Sequence, residues 1–252
     1  MSVAAALMTV GIRTRDIDPL LAREGAADHE GNFAAAALRD LLHNTRVRIL
    51  LVAVILFHLA NGACFHWLAN YFSVNHPDTA QTYLSACILI SQLVMLPIAV
   101  VAGRLADGWG RKPTLLVGFA LLPIRGLLFT TVRNPYALVS IQIPDGVSVG
   151  IFGVVAVVMI ADLARRTGRF NLMQGAMNTC VVIGASLSNL VAGFVAREAG
   201  FRTGFMMLTA LAVGALAFFW AVMPETQRRI RRFAVWPFLI DAGKWLASLM
   251  AG

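Results

Sequence analysis

Two charged residues of opposite sign lie inside apolar stretches of the sequence. Arg125 lies in the run 114–132 and Asp145 in the next run, 136–161. The two residues lie at similar depths when measured from the same side of the predicted bundle. At a rise of about 1.5 Å per residue, Arg125 lies about 10 Å and Asp145 about 13 Å from the end of its run on that side. An unpaired charge in hydrocarbon costs at least about 2.5 kcal/mol, so an ion pair is expected. It is either a fixed structural pair or a proton- or substrate-responsive carboxylate held by arginine, and the sequence leaves both open.

Uncharged polar side chains also lie in the apolar runs, several of them three or four residues apart and therefore on one helix face. Polar groups in hydrocarbon are costly unless they face a cavity or a partner. We take eight residues as candidates for a cavity that binds substrate or a proton: His58, Asn61, Gln92, Arg125, Gln142, Asp145, Gln174 and Asn178. For Asn61, cavity lining and a simple hydrogen bond between helices remain alternatives.

The elements that position these residues follow from composition. Of 252 residues, 58% are hydrophobic and only 13% are charged, which is outside the usual range of soluble proteins. Six apolar runs have roughly the length of about 20 residues that a helix needs to cross a membrane: 49–71, 83–102, 114–132, 136–161, 172–196 and 205–223. We therefore predict an all-α, polytopic bundle of six transmembrane helices.

Basic residues are distributed unevenly between the two sides of this predicted bundle. Of the 21 Lys and Arg residues, 17 fall on the side that holds both termini and three on the other, with Arg125 inside a run. Loops rich in Lys and Arg stay in the cytoplasm, so we expect both termini there, in a plasma membrane of the bacterial inner-membrane type. This topology also explains the net charge of +8 without a nucleic-acid partner.

Signals for catalysis are missing from the sequence. There is no nucleophile with its base, no phosphate-binding loop and no metal-ligand spacing, and Cys64, Cys87 and Cys180 all lie in apolar runs. We expect no enzyme, no catalytic residue, no cofactor and no metal site.

The chain divides into three parts by composition. Residues 1–48 are predicted to be the tail of a preceding helix followed by a cytoplasmic linker, with a short amphipathic helix around 32–43. Residues 49–226 form the six-span part. Residues 227–252 begin with a basic cluster and continue with helical spacing of apolar residues, which predicts an interfacial helix that binds the lipids of an anionic membrane surface.

A polar segment rich in glycine, residues 103–113, separates the second and third runs and is predicted to be a loop. Gly103 would allow two helix backbones to come close, and Gly110 would permit a tight reversal. Asp107 offers a carboxylate to a helix N-terminus or a cation, and Arg111 would hold the loop at the positively charged side.

This segment resembles the loop signature of the major facilitator superfamily of secondary transporters, which runs Gly, three residues, Asp, a basic residue, any residue, Gly, Arg, any residue, a basic residue. Gly103, Asp107, Gly110 and Arg111 match it, whereas the two basic positions hold Gly108 and Pro113. Pro224-Glu225-Thr226 after the last run resembles the tripeptide that often follows the final helix in this superfamily.

The resemblance implies the C-terminal six-helix half of a twelve-span transporter. Such a protein binds a small solute between two halves and moves it by alternating access, with a proton gradient as the expected drive and export as one direction. The expected partners are a small-molecule substrate, membrane lipid and a second half, either a missing N-terminal half or a second copy. The alternative is a non-transporting membrane protein for binding or assembly, or an inactive fragment.

Overall fold

The computed structural model describes Arg39 and residues 43–164 and 169–226, without the side chains of residues 196–201. Within these ranges all regular structure is helical. The helices are α1 (Thr45–Asn61), α2 (Cys64–Asn75), α3 (Ala80–Gly108), α4 (Arg111–Thr131), α5 (Pro135–Ser140), α6 (Gln142–Ala164) and α7 (Phe170–Val222). The predicted helix tail at 1–12, most of the amphipathic helix at 32–43 and the interfacial helix in 227–252 lie outside the described residues.

Six segments are long and apolar enough to cross a membrane, which confirms the predicted all-α bundle. Helices α1 and α2 make the first (Thr45–Asn75), α3 the second, α4 the third, and α5 with α6 the fourth (Pro135–Ala164). The run α7 supplies both the fifth (Phe170–Val195) and the sixth (Arg202–Val222). Several of these helices extend beyond the apolar runs; α3, for example, continues to Gly108.

The helical segment α7 (Phe170–Val222) reverses direction between the two spans that it contains. Met173 and Phe219 belong to one core cluster, together with Leu115 near the start of α4. Ala192 and Phe205 belong to another. The chain therefore passes from one end of the bundle to the other and back, and the two spans of α7 lie antiparallel.

Aromatic rings join four helices in the first of these clusters. Phe57 of α1 stacks on Phe152 of α6 at a centroid distance of 4.2 Å. Phe119 of α4 stacks on Phe219 of α7 at 4.7 Å and meets Phe57 edge-on at 5.1 Å. Each such pair contributes about 0.5–1.5 kcal/mol beyond the burial of its area. This cluster fixes α1, α4, α6 and α7 against one another.

The second and fifth spans lie at the edge of the bundle. Only 6% of the apolar window of α3 and 22% of that of Phe170–Val195 is buried inside the bundle, compared with 50% for the first, third and fourth spans. Large apolar side chains such as Leu93, Leu96, Leu190 and Phe194 are exposed on these two helices. These faces must contact lipid or another protein when the chain is in a membrane.

Two connections differ from what the sequence predicts. The first span is interrupted at Gly62 and Ala63, between α1 and α2. The segment 103–113 is not the predicted loop, because α3 continues through Gly108 and α4 begins at Arg111. Only Trp109 and Gly110 connect the two helices, since the helical hydrogen bonds of α3 extend beyond its apolar part.

Candidate functional site

Four helices each contribute one polar side chain to a network around the Arg125 guanidinium. Arg125 of α4 donates from Nη1 to Oδ1 of Asp145 on α6. It donates from Nη2 to Oδ1 of Asn61, the last residue of α1. Ser91 of α3 donates its hydroxyl to Oδ2 of Asp145 at 2.9 Å. The structure thus brings together the two opposite charges and one of the candidate amides.

Small residues allow the helices to approach closely enough for these contacts. An added Cβ at Gly146 of α6 would lie 2.6 Å from the backbone oxygen of Ser91. Two residues further along, Ser148 donates its hydroxyl to the backbone oxygen of Gly118 on α4 at 2.8 Å. Because α6 lacks side-chain bulk at this level, α3 and α4 both come within reach of Asp145.

The two members of the ion pair differ in exposure. The side chain of Arg125 is 4% exposed and that of Asp145 is 17% exposed. The Nε atom of Arg125 is buried and has no hydrogen-bond partner among the described residues. The carboxylate is therefore the member that a proton or a ligand can reach, and the arginine lies behind it.

Other candidates lie elsewhere on the helices. The imidazole of His58 hydrogen-bonds through Nδ1 to the Val54 carbonyl at 3.0 Å and meets Phe152 edge-on at 4.9 Å. Gln142 is buried, and its side chain hydrogen-bonds to the Cys87 thiol. These contacts fit packing roles inside the bundle.

The remaining amides lie on the two edge helices. Gln92 is exposed on α3. On α7, Gln174 donates to Asn178 at 3.4 Å, and this pair lies on a helix that is mostly unburied. Ser91, which does contact Asp145, was missed by sequence reasoning, because a serine in an apolar helix can bond to its own backbone and carries little signal.

The signature arginine joins the ends of α3 and α6. Arg111 donates from Nη1 to Oδ1 of Asp107 at 2.7 Å and to the backbone oxygen of Ala106 at 2.6 Å. Its Nε donates to Oδ2 of Asp162 at 3.1 Å. Arg111 is buried although it lies at the end of a helix, so its charge is held by two carboxylates rather than by water.

Glu225 holds the N-terminus of α4. Its carboxylate accepts hydrogen bonds from the backbone amides of Arg111 and Lys112, both at 3.1 Å. The Lys112 ammonium donates to the backbone oxygen of Trp220 at 2.8 Å, near the end of α7. A carboxylate at a helix N-terminus satisfies free amides and interacts favourably with the helix dipole. The sequence offered Asp107 to a helix N-terminus or a cation, and Asp107 meets the cation of Arg111. The carboxylate at the helix N-terminus is that of Glu225.

Close approach at Gly103 is not observed. A Cβ added there would meet only the Val154 side chain at 3.8 Å, an ordinary contact. Close approaches of helix backbones lie elsewhere, among them Gly146 and Gly184, where a Cβ would lie 2.6 Å from the backbone oxygen of Ser91 and 2.5 Å from that of Ile55. The glycine of the signature that the geometry requires is Gly110, with a φ of 115°.

Comparison with known proteins identifies a family that the chain matches. The sequence model of the Major Facilitator Superfamily matches residues 77–238. An uncharacterized MFS-type transporter of Mycobacterium tuberculosis is 40% identical over 229 residues, which cover 90% of this chain and 54% of that protein. Multidrug resistance protein 2 of Bacillus subtilis is 26% identical over 169 residues, 66% of this chain and 40% of that protein.

A solved structure shows the same fold. The human organic anion transporter MFSD10 superimposes with a TM-score of 0.60 at 17% identity, over 73% of this chain and 48% of that one. The chain thus spans about half the length of the relatives that it matches. Its six apolar helices and these matches make it a multi-pass integral membrane protein. By the family match and the 40% identity, the chain belongs to the Major Facilitator Superfamily.

Proposed function

We propose that the chain is the C-terminal six-helix half of a secondary active transporter, which moves a small solute by alternating access and is driven by protons. The observation that carries the proposal is the ion pair between the buried Arg125 and the partly exposed Asp145, on two packed spans. Ionisable residues within transmembrane segments are costly and commonly mark ion or substrate pathways. We assign no catalytic reaction to the chain.

Asp145 is the proposed site of the charge change. While it is ionised, it holds the Arg125 guanidinium and accepts a hydrogen bond from Ser91. A proton or a cationic group of the substrate would cancel its charge and weaken its attraction for Arg125. The two charge states of Asp145 then favour different arrangements of the helices that hold it, which is what coupling to an ion requires.

A second six-helix half is the proposed partner. Helix α3 and the first span of α7 are largely unburied within this half, and matched relatives are about twice as long as the aligned region. A second half that covers these faces would enclose the solute between the halves near the middle of the membrane. Either a separate N-terminal half or a second copy of the chain could supply it.

Orientation and direction complete the proposal. The excess of basic residues on the side of Arg111 and Lys112 supports a cytoplasmic location for that end and for both termini, in a bacterial inner membrane. There, Asp107 with Arg111 would act as a latch between conformations. Export is the proposed direction, because relatives include proteins named for multidrug resistance in Bacillus subtilis and Escherichia coli.

Transport in proteoliposomes tests this function. The chain with its second half is reconstituted, and a panel of organic cations and anions is offered under an imposed pH gradient. We expect gradient-dependent movement of at least one solute, and its loss in Asp145→Asn. Asp78→Asn, which changes an acid in the short connection between α2 and α3, is the matched control and should leave transport intact. Full transport by Asp145→Asn, or no gradient dependence for any solute, would contradict the proposal.

A further inference from the structure

The break in the first span coincides with the charged network. Helix α1 ends at Asn61 and α2 begins at Cys64. The backbone amide of Ala63 donates to the hydroxyl of Ser188 on α7 at 2.9 Å, and the site is buried. The Ser188 hydroxyl thus takes the place of a backbone carbonyl as the acceptor for the Ala63 amide. The interruption can therefore exist inside the membrane without an unsatisfied amide at Ala63.

The side chain at the end of α1 is tied to the arginine and not to its own helix. Asn61 accepts a hydrogen bond from Nη2 of Arg125, whereas Nη1 of the same guanidinium donates to Asp145. One guanidinium therefore bridges the break in the first span and the carboxylate on α6. Any movement of the guanidinium relative to Asp145 also changes its contact with Asn61.

We infer that Asn61 is a positioning residue that couples the charge of Asp145 to the angle between α1 and α2. The inference rests on the proposed function only in that it concerns the same carboxylate. When Asp145 is neutral, the guanidinium loses its charged partner and keeps Asn61 as its neighbour. Because Asn61 is the last residue of α1, the shift of the guanidinium acts directly on the break.

The two sides of the break pack into different core clusters. Helix α1 is fixed by Phe57, which stacks on Phe152 and meets Phe119 edge-on. Helix α2 belongs to the other cluster, where Trp67 meets Phe205 of α7 edge-on at 5.7 Å and Phe72 stacks on Tyr83 of α3 at 5.1 Å. A change of angle at the break therefore shifts α2 and its cluster relative to the cluster that holds α1.

Other titratable groups near this level have other partners. Between residues 45 and 164 the histidines, cysteines and tyrosines are His58, Cys64, His66, Tyr71, His76, Tyr83, Cys87 and Tyr136. His66 is exposed, Tyr71 donates its hydroxyl to the backbone oxygen of Arg133, and His76 meets Tyr83 edge-on. His58 and Cys64 contact backbone oxygens of α1. Cys87 contacts Gln142, and the two tyrosines hydrogen-bond to each other. Among the described residues, the charged partner of Asp145 is Arg125, so the charge change is assigned to this pair.

Distance measurements between spin labels test the coupling in the full transporter. The three native cysteines are replaced by alanine, and labels are placed at Asn70 on α2 and Val117 on α4, both exposed. A second pair, Val117 and Ile143 on α6, reports on the core that should stay fixed. The distances between the labels are measured at one pH in Asp145→Asn and in the double variant that also carries Asn61→Leu. Leucine removes the acceptor oxygen of Asn61 at a similar side-chain volume.

The expected result is a change of about 2 Å or more in the Asn70–Val117 distance on Asp145→Asn, and no change in the Asn61→Leu background. Asn61→Asp keeps an acceptor oxygen and should retain the response, as should Asn189→Leu, an exposed asparagine on α7. Asn61→Ala serves in place of Asn61→Leu if that variant does not fold. A response that persists without the Asn61 acceptor, no response with Asn61 present, or an equal movement of the core pair overturns the inference.

A pH titration of the same labels separates this inference from proton coupling. In one outcome, Asp145→Asn moves α2 through Asn61 while pH between about 5 and 9 does not move α2 in the unsubstituted protein. That result contradicts the proposed proton coupling and supports the role of Asn61. If pH moves α2 equally with Asn61 and in the Asn61→Leu background, proton dependence stands and the role of Asn61 fails.

Discussion

A Cβ atom on Gly110 would lie only 2.6 Å from Oε2 of Glu225. Gly110 also has a φ of 115°, a conformation that residues with a side chain rarely adopt. The reversal between α3 and α4 therefore requires glycine for two reasons, the backbone angle and the space for a carboxylate from the end of the chain's last span. This relationship explains why a two-residue connection is sufficient there.

Replacing Gly110 by alanine should destabilise the protein. The positive φ costs about 1–2 kcal/mol for a residue with a Cβ, and the methyl group would displace the Glu225 carboxylate from the amides that it binds. Thermal unfolding in detergent, followed by size-exclusion chromatography, should show a lower midpoint. Gly153→Ala is the matched control, because a Cβ there meets nothing within 4 Å. Equal midpoints for the two variants would contradict the prediction.

Glu225→Gln should loosen the start of α4 without unfolding the bundle. The substitution keeps one oxygen acceptor for the amides of Arg111 and Lys112 but removes the negative charge at the helix N-terminus, at a cost of about 1 kcal/mol. Hydrogen exchange measured by mass spectrometry should be faster in the peptide that begins at Arg111. Asp78→Asn is the control and should not alter that peptide. Unchanged protection in Glu225→Gln would show that the carboxylate does not cap α4.

The two carboxylates on Arg111 should differ in their effects. Asp107 is 75% exposed and makes an i,i+4 pair, which is worth about 0.3–0.5 kcal/mol, whereas Asp162 is 14% exposed. We expect Asp162→Asn to lower the unfolding midpoint more than Asp107→Asn. In transport by the full assembly, Asp107→Asn should still reduce the rate if the latch is correct. Normal transport in that variant would remove the latch role.

Gly146 should control the contact between Ser91 and Asp145. Because a Cβ at position 146 would lie 2.6 Å from the Ser91 backbone oxygen, Gly146→Ala must push α3 away from α6. Disulfide cross-linking between cysteines introduced at Ile98 of α3 and Gly150 of α6, which face each other one turn from this contact, should be slower in the variant. Gly153→Ala on the same helix should leave the rate unchanged. A cross-linking rate that Gly146→Ala does not alter would show that α3 adjusts without moving.

The sequence was sufficient for the fold because lipid imposes a simple rule. Runs of about 20 apolar residues must become helices in a membrane, so the number of spans follows from length and hydropathy alone. The breaks at Gly62 and Ile141 could not be read in the same way, since neither interrupts an apolar run. Ala63 depends on Ser188, which lies 125 residues away, and no local pattern reveals such a partner.

The candidate site was predictable to the extent that charge is costly in hydrocarbon. The cost of burying charged and polar groups selected Arg125, Asp145 and Asn61 as candidates, and the structure places all three in one network. The same reasoning could not distinguish Gln92 from Ser91 beside it, because side-chain direction depends on how α3 rotates against α6. Whether these residues bind substrate or protons stays a prediction.

The last prediction separates a structural role of the Arg125–Asp145 pair from a transporting one. Removing one member leaves the other buried and unpaired, which costs about 3–5 kcal/mol, so Arg125→Gln and Asp145→Asn should each lower the folded yield in membranes. The double variant should recover part of that yield, since neither charge then remains. If the pair is only structural, transport recovers with yield, whereas a pair that carries protons or substrate gives recovered yield without transport. Additive losses in the double variant would show that the two side chains do not interact in the membrane.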